Sequence, residues 1–180
     1  MTRTPHDTRH KVATETNALN HTVTYAYDAV GNLTSVTDPL GHATTYAYDA
    51  LNRRVTVKNA LNHTTTYTYD AAGNNTSVRD ALNRMTTYTY DARNQLTQVK
   101  DAANGTVSYL YDGNGNRTRM TDANGHVTEY AYDALDRLTA VTGPLDHVSA
   151  YGYDAAGNRT SKTKPDGTTV TYTFDALNRM

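Results

Sequence analysis

Residues 67–76 read Tyr67-Thr68-Tyr69-Asp70-Ala71-Ala72-Gly73-Asn74-Asn75-Thr76, and this stretch decides the fold of the 180-residue chain. Its Tyr-Asp pair returns every 21 residues. A fixed period of this length indicates a repeat architecture in which each unit is one small structural element. We number each repeat from its Asp, so that Asp70 is position 1 and Tyr90 is position 21 of one repeat.

Every aromatic residue falls in one of two columns of this repeat. Because side chains two residues apart lie on the same face of a β-strand, each Tyr-x-Tyr predicts a half-buried strand with both rings turned inward. We expect the two columns to be the structural core of the array. Position 19 holds Tyr25, Tyr46, Tyr67, Tyr88, Tyr109, Tyr130, Tyr151 and Tyr172, and position 21 holds Tyr27, Tyr48, Tyr69, Tyr90, Tyr111, Tyr132, Tyr153 and Phe174.

An earlier strand is predicted over positions 5 to 11. There, apolar residues such as Val36 and Val57 at position 9 alternate with outward residues such as Arg79 and Lys100. Two strands of about six residues make each repeat one hairpin. The fold class is therefore all-β: a curved or spiral antiparallel sheet of about sixteen strands.

The connections between these strands have the composition of tight turns. Asp, Asn and Gly supply positive φ angles and side-chain bonds to the backbone. The second connection, as in Asp38-Pro39-Leu40-Gly41, has the same character. The residues assigned to the first turn are Asp28, Gly31, Asp49, Asp70, Gly73, Asp91, Asp112, Gly115, Asp133, Asp154, Gly157 and Asp175.

A second period lies beneath the first. Position 4 alternates between Gly and a polar residue, as in Gly31, Asn52 and Gly73, and position 5 alternates between Asn and a longer side chain, as in Asn32 and Arg53. The structural unit is thus interpreted as a 42-residue pair whose successive turns differ. The array is expected to fill residues 7–180, as eight units and the start of a ninth, after a tail at residues 1–6.

Composition argues against several classes of function. The formal net charge of -1 gives no basic face for nucleic acid, and the absence of Cys excludes disulfides and thiolate chemistry. No apolar run approaches the ~20 residues of a membrane span. The first residues lack the apolar segment of a signal peptide. Richness in Tyr, Thr and Val argues against disorder. We expect no cofactor, no nucleic acid partner and no membrane insertion.

Two features could suggest a metal site. Asp112-Gly113-Asn114-Gly115-Asn116 begins like a calcium loop, but Arg117 replaces the required Gly and Ala123 the required Glu. Five His share position 15, yet no Cys or carboxylate pair completes a ligand set. Both are interpreted as turn residues. The five histidines are His21, His42, His63, His126 and His147.

The sequence Tyr67 to Thr76 resembles the YD repeat of Rhs proteins, a family that includes polymorphic bacterial toxins, the C component of Tc toxins, WapA proteins and teneurins. The resemblance covers nearly the whole chain. It implies a β-ribbon wound into a hollow shell, which in toxin members encloses a C-terminal toxic domain. Such shells need far more than eight repeats, and the family's core segment with its self-cleavage site has no counterpart here. Asp38-Pro39-Leu40-Gly41 resembles that site but lies in register with an ordinary turn.

The function expected from this resemblance is structural and not enzymatic: a segment of an Rhs-type shell in a secreted or cell-surface bacterial protein. Its partner would be the remainder of a longer Rhs-type chain or its cargo domain. The alternative is a carbohydrate-binding or adhesive module, because Tyr rings and polar side chains suit glycans. No Ser/His/Asp set and no carboxylate pair stands out from the repeat, whereas catalytic residues are usually unique in a chain.

Overall fold

The computed structural model describes residues 11–180. The expected tail at residues 1–6 and the first turn at Asp7 lie outside these residues, so the start of the array stays a prediction. The chain divides into two compact units, residues 1–87 and 88–180. Each is described by itself below.

The all-β prediction is confirmed, with sixteen strands in the described part of the chain. Strands β1 to β8 are Thr14–Thr16, Thr22–Tyr27, Leu33–Thr37, Ala43–Tyr48, Arg54–Lys58, Thr64–Tyr69, Asn75–Arg79 and Met85–Tyr90. Strands β9 to β16 are Leu96–Lys100, Thr106–Tyr111, Arg117–Thr121, Val127–Tyr132, Leu138–Thr142, Val148–Tyr153, Arg159–Thr163 and Thr169–Thr171. A three-residue 3-10 turn covers Pro144–Asp146.

Within each unit, every strand pairs antiparallel with the strand that follows it in the chain. Each complete repeat contributes a five-residue strand at positions 6 to 10, called the A strand, and a six-residue strand at positions 16 to 21, called the B strand. The predicted hairpin repeat is therefore present. Its winding stays a prediction.

The register places the aromatic residues opposite aliphatic ones. Tyr46 on β4 faces Val57 on β5, and Val57 in turn faces Thr65 on β6. Such cross-strand pairs of aromatic and β-branched side chains contribute about 0.2–1 kcal/mol each. A face of Tyr, Val and Thr thus runs across each unit, and we call it the tyrosine face.

Within each unit, the B-to-A junctions contain a β-bulge. Ala47 pairs with Thr56 but Tyr48 pairs with Arg54, so Val55 is the extra residue. A bulge of this kind bends the strand and disrupts the ladder locally. The end of each B strand is therefore the place where backbone pairing is weakest.

No described residue is fully buried, although the sequence predicted inward-facing tyrosines. All sixteen aromatic side chains are half-buried, because no helix or second sheet within either unit covers the tyrosine face. Within each unit the tyrosine columns therefore do not form a closed core.

Candidate functional site

The repeated turn is organised by one carboxylate. In the turn at Asp70, Oδ1 accepts a hydrogen bond from the backbone N–H of Asn74 at 2.9 Å, and the N–H of Gly73 donates to the carbonyl of Asp70 at 3.2 Å. Gly73 has φ 95°, in the left-handed region that Gly adopts without a steric penalty. Position 4 of every described first turn has a positive φ, whether it is Gly, Asn or Asp. This geometry explains why the two positions carry those residue types.

The second carboxylate oxygen holds the side chain four residues later. At Asp70 that side chain is Asn74, 2.9 Å away, at Asp49 it is Arg53, 2.7 Å away, and at Asp38 it is His42, 2.9 Å away. The Asn74 side chain lowers the pKa of Asp70, aided by backbone N–H donors and opposed by partial desolvation. Each of these three aspartates thus acts as a clip that joins the two ends of its turn.

The same direction of pKa shift recurs throughout the array. The pKa is lowered from its ordinary value in eleven aspartates of the described residues: Asp28, Asp38, Asp49, Asp70, Asp80, Asp112, Asp122, Asp133, Asp154, Asp166 and Asp175.

The 42-residue period has its origin in bonds between successive turns. Asn32 donates its side-chain amide to Oδ1 of Asn52 in the next first turn, at 2.8 Å. Arg53 donates in turn to the carbonyl of Asp70, at 2.8 Å. The two turn types share one backbone path, so the predicted difference lies in their side chains. An Asn-bearing turn needs an acceptor at position 4 of its successor, which Gly lacks.

The second unit repeats this alternation. Asn116 donates to Oδ1 of Asp136 at 2.7 Å, and Arg137 donates to the carbonyl of Asp154 at 2.9 Å. Asn158 then donates to Oδ1 of Asn178 at 2.8 Å. A ladder of side-chain hydrogen bonds therefore joins the turns along one edge of each unit.

The hydroxyl of the position-21 tyrosine bonds to the A strand that precedes its own strand. Tyr48 donates to the carbonyl of Leu33 at 2.9 Å, and Tyr111 donates to the carbonyl of Leu96 at 2.8 Å. The accepting carbonyl is at position 6, beyond the last ladder pair between the A strand and its own B strand. The hydroxyl therefore supplies a hydrogen bond where the ladder stops. The same bond is made by Tyr69, Tyr132 and Tyr153.

The position-19 tyrosines contact arginines instead. The guanidinium of Arg117 lies 5.6 Å from the ring centre of Tyr109 and 4.7 Å from that of Tyr130. Arg54 lies in the same way between Tyr46 and Tyr67, at 5.9 and 5.4 Å. Cation–π contacts at exposed sites contribute about 0.5–1 kcal/mol. These arginines thus link tyrosines two strands apart.

Sequence reasoning missed both networks. A signal for the first was present, since fifteen Tyr and a single Phe fill the two columns, and packing alone would accept Phe in place of Tyr. The arginines had a weaker signal, because position 6 is Arg in only some repeats. The packing role of the two columns stays a prediction.

The segments considered for metal binding are turns. Oδ1 of Asp112 accepts hydrogen bonds from the backbone N–H groups of Asn114 and Asn116, both at 2.9 Å, so this oxygen is engaged within the turn. Across residues 11–180 no three His, Cys, Asp or Glu side chains converge as a metal site would require. Asp38-Pro39-Leu40-Gly41 also forms a turn, as predicted.

The histidine column lines open depressions in each unit. One, of about 340 Å³, lies between the turns of His42 and Asn62. Another, of about 440 Å³, lies between His126 and Leu145. The lining of the first depression includes Thr45 and Lys58, and that of the second includes Arg119 and Glu129.

No helix in the described part of the chain has the length and apolar character of a membrane span. The sequence matches the model of the RHS Repeat family in six overlapping segments, at residues 6–41, 27–64, 69–107, 111–148, 132–169 and 153–180. No curated protein shows a significant match.

Solved structures of Tc toxin proteins have a similar fold. A crystal structure of TcdB2-TccC3-Cdc42 matches with a TM-score of 0.76 and 19% identity, over 97% of this chain and 12% of that chain. A structure of the Photorhabdus luminescens Tc holotoxin pore matches with a TM-score of 0.67 and 21% identity, over 84% and 9%. The chain thus spans about an eighth or less of the length of these proteins.

Proposed function

Since the chain belongs to the RHS repeat family, we propose that it is a structural segment of an Rhs-type β-shell that encloses or displays a toxin or surface domain. The parent protein would be secreted or on the surface of a bacterial cell. The partners of the segment are then the remainder of a longer Rhs-type chain and its cargo domain. Its role is to form part of the shell wall, and it has no enzymatic activity.

The observation that carries this proposal is the turn ladder. The bonds Asn32 to Asn52 and Arg53 to Asp70 join each hairpin to the next, and the Tyr48 hydroxyl adds a bond to the carbonyl of Leu33 on the preceding A strand. The polar groups that recur in every repeat are thus used to hold strands together. Such a sheet can be extended by adding repeats, which is what a wall requires.

The exposed tyrosine face supports a role as a lining. Half-buried Tyr rings and arginines such as Arg117 are available to a neighbouring molecule. In a shell, one face of the wall contacts the enclosed polypeptide and the other contacts solvent. A cover on one face would also bury these tyrosine rings further.

The alternative, a carbohydrate-binding or adhesive module, is favoured by one observation. Arg54 and Arg159 lie over Tyr rings and form no ion pair within the described residues, so a planar ring beside a free cation could receive an acidic sugar. Binding of the isolated chain to a glycan array, lost in Arg54→Ala and retained in Arg84→Ala, would favour this alternative.

The shell is tested with the natural polypeptide that contains this chain. We expect a downstream domain to resist limited proteolysis while the repeats are folded, and to be cut once urea unfolds them. Cleavage of the domain at equal rates in both states would contradict the shell. A natural polypeptide that carries no further domain would contradict it as well.

A further inference from the structure

The tyrosine face of the second unit, residues 88–180, carries positive charge. Three cationic residues belong to its strands, namely Arg117 on β11 and Arg159 and Lys162 on β15. Residues directly opposite each other on neighbouring strands project to the same face of a sheet. The register places each cation directly opposite a tyrosine of position 19 or 21, in the same order Tyr111, Tyr153 and Tyr151. All three cations therefore lie on the tyrosine face.

No acidic side chain in the strands of residues 88–180 balances these charges on the tyrosine face. The one acidic residue in those strands is Glu129, at outward position 18, where it faces Arg119. The aspartates of the unit lie in turns outside the strands. None of the three cations forms an ion pair with a carboxylate of the described residues. The first unit differs, because Glu15 accompanies Arg54 on its tyrosine face.

The two arginines lie over tyrosine rings. The guanidinium of Arg159 lies 5.9 Å from the ring centre of Tyr151 and 5.3 Å from that of Tyr172, and Arg117 lies over its own two rings in the same way. A nucleobase that stacks on an aromatic side chain needs an open ring face, and here guanidinium groups lie over the rings. Their N–H groups can instead form charge-assisted, often bidentate hydrogen bonds with carboxylates. The geometry therefore favours a ligand that carries carboxylates over one that stacks.

The spacing of the two arginines suits an extended polypeptide. Arg117 and Arg159 occupy the same repeat position four strands apart, which is about 19 Å at ~4.8 Å per strand. An extended chain advances about 3.4 Å per residue, so about six residues span this distance. Side chains an even number of residues apart project from the same side of an extended chain. Two carboxylates at that separation can therefore contact both arginines at once, and Lys162 lies on the same strand as Arg159.

We infer that the tyrosine face of residues 88–180 binds an acidic, extended polypeptide, whose Asp or Glu carboxylates contact Arg117, Arg159 and Lys162. The inference rests on the proposed shell role, since the enclosed domain is the polypeptide that would meet this face, and it adds the chemical class of that polypeptide. Complementary charge across a contact selects the partner and suppresses others. A basic segment would instead place like charges against three cations that no carboxylate of the face neutralises.

Two synthetic peptides test the inference on the full chain. The probe is a fluorescent peptide of about twelve residues in which Glu and Thr alternate, which is long enough to span both arginines. Its control has Gln in place of every Glu. By fluorescence anisotropy at low ionic strength, we expect the Glu peptide to bind about tenfold more tightly than the Gln peptide. Added salt should weaken the binding of the Glu peptide, because salt screens charges at an exposed surface.

Variants that remove one charge locate the binding site on the sheet. Arg159→Gln and Lys162→Gln should each weaken binding of the Glu peptide by about threefold, and the double variant by about tenfold. The matched control Arg119→Gln removes the same charge from the outward face of β11 and should leave the affinity unchanged. Circular dichroism verifies that each variant is folded like the wild type.

Several outcomes would overturn the inference. Equal affinities for the Glu and Gln peptides would do so, as would the absence of binding by either, or an effect of Arg119→Gln equal to that of Arg159→Gln. Tighter binding of oligothymidine or of a sialic acid oligosaccharide than of the Glu peptide would assign the face to another class of ligand. Protection of the downstream domain from proteolysis without peptide binding would refute this inference alone, whereas peptide binding without protection would refute the shell role alone.

Discussion

The hydroxyl of a position-21 tyrosine can be removed without changing the shape of its ring. In Tyr111→Phe, the 2.8 Å hydrogen bond to the carbonyl of Leu96 is lost, and the half-buried ring stays. A neutral hydrogen bond contributes about 0.5–1.5 kcal/mol. Leu96 lies beyond the last ladder pair between β9 and β10, so no backbone hydrogen bond of that ladder replaces the hydroxyl. We expect the variant to lose about 1 kcal/mol of unfolding free energy.

The matched control is Tyr109→Phe, at position 19 of the same strand. The Tyr109 ring contacts Arg117 through its face, a contact that Phe retains, so the loss should stay below about 0.5 kcal/mol. Urea unfolding measures both variants. With a slope of about 2 kcal/mol per molar, Tyr111→Phe should lower the midpoint by about 0.5 M. Equal midpoints for the two variants would refute the role assigned to the position-21 hydroxyl.

Three further predictions concern the ring, the turn and the carboxylates. Tyr109→Ala should lower the free energy of unfolding by about 2 kcal/mol, less than the 3–5 kcal/mol lost at a fully buried aromatic residue. The outward variant Thr89→Ser should lower it by less than about 0.5 kcal/mol. An unchanged melting midpoint for Tyr109→Ala would show that the ring does not pack. Gly73→Ala should lower the free energy of unfolding by about 1 kcal/mol, because φ at this position is 95°. Gly73→Asn should lower it by less. Equal melting midpoints for these two variants would contradict the turn assignment. Acid should unfold the array. Carboxyl groups whose pKa is lowered in the fold stabilise it at a pH above their pKa in the unfolded chain, which is near 3.8. This contribution is lost as the pH falls through their lower pKa in the folded protein. The melting temperature, measured from pH 6 to pH 2, should therefore fall most steeply below pH 4. A melting temperature that does not change with pH would show that the aspartate clips do not stabilise the fold.

The sequence was sufficient to predict the hairpin repeat, because strand and turn formation depend on local chemistry. Tyr67 and Tyr69 fix a strand face, and Gly73 fixes a turn, through constraints that act within a few residues. Tyr111 and Leu96 are joined by the hydroxyl at the end of the tyrosine side chain, and nothing in the spacing of 15 residues predicts that contact. The exposure of the tyrosine rings could not be predicted either, since the alternation of apolar and polar residues identifies the face of a strand but not what covers that face.

The alternation of turns constrains how such an array can change in length during evolution. Loss or duplication of 42 residues leaves every Asn-bearing turn followed by a turn with an acceptor, as Asn32 is followed by Asn52. Loss of a single 21-residue repeat would instead place Asn32 before a turn such as that of Gly73, whose position 4 has no side chain to accept the bond. Genetic recombination should therefore add and remove these repeats in pairs, and the heritable module is twice the size of the hairpin.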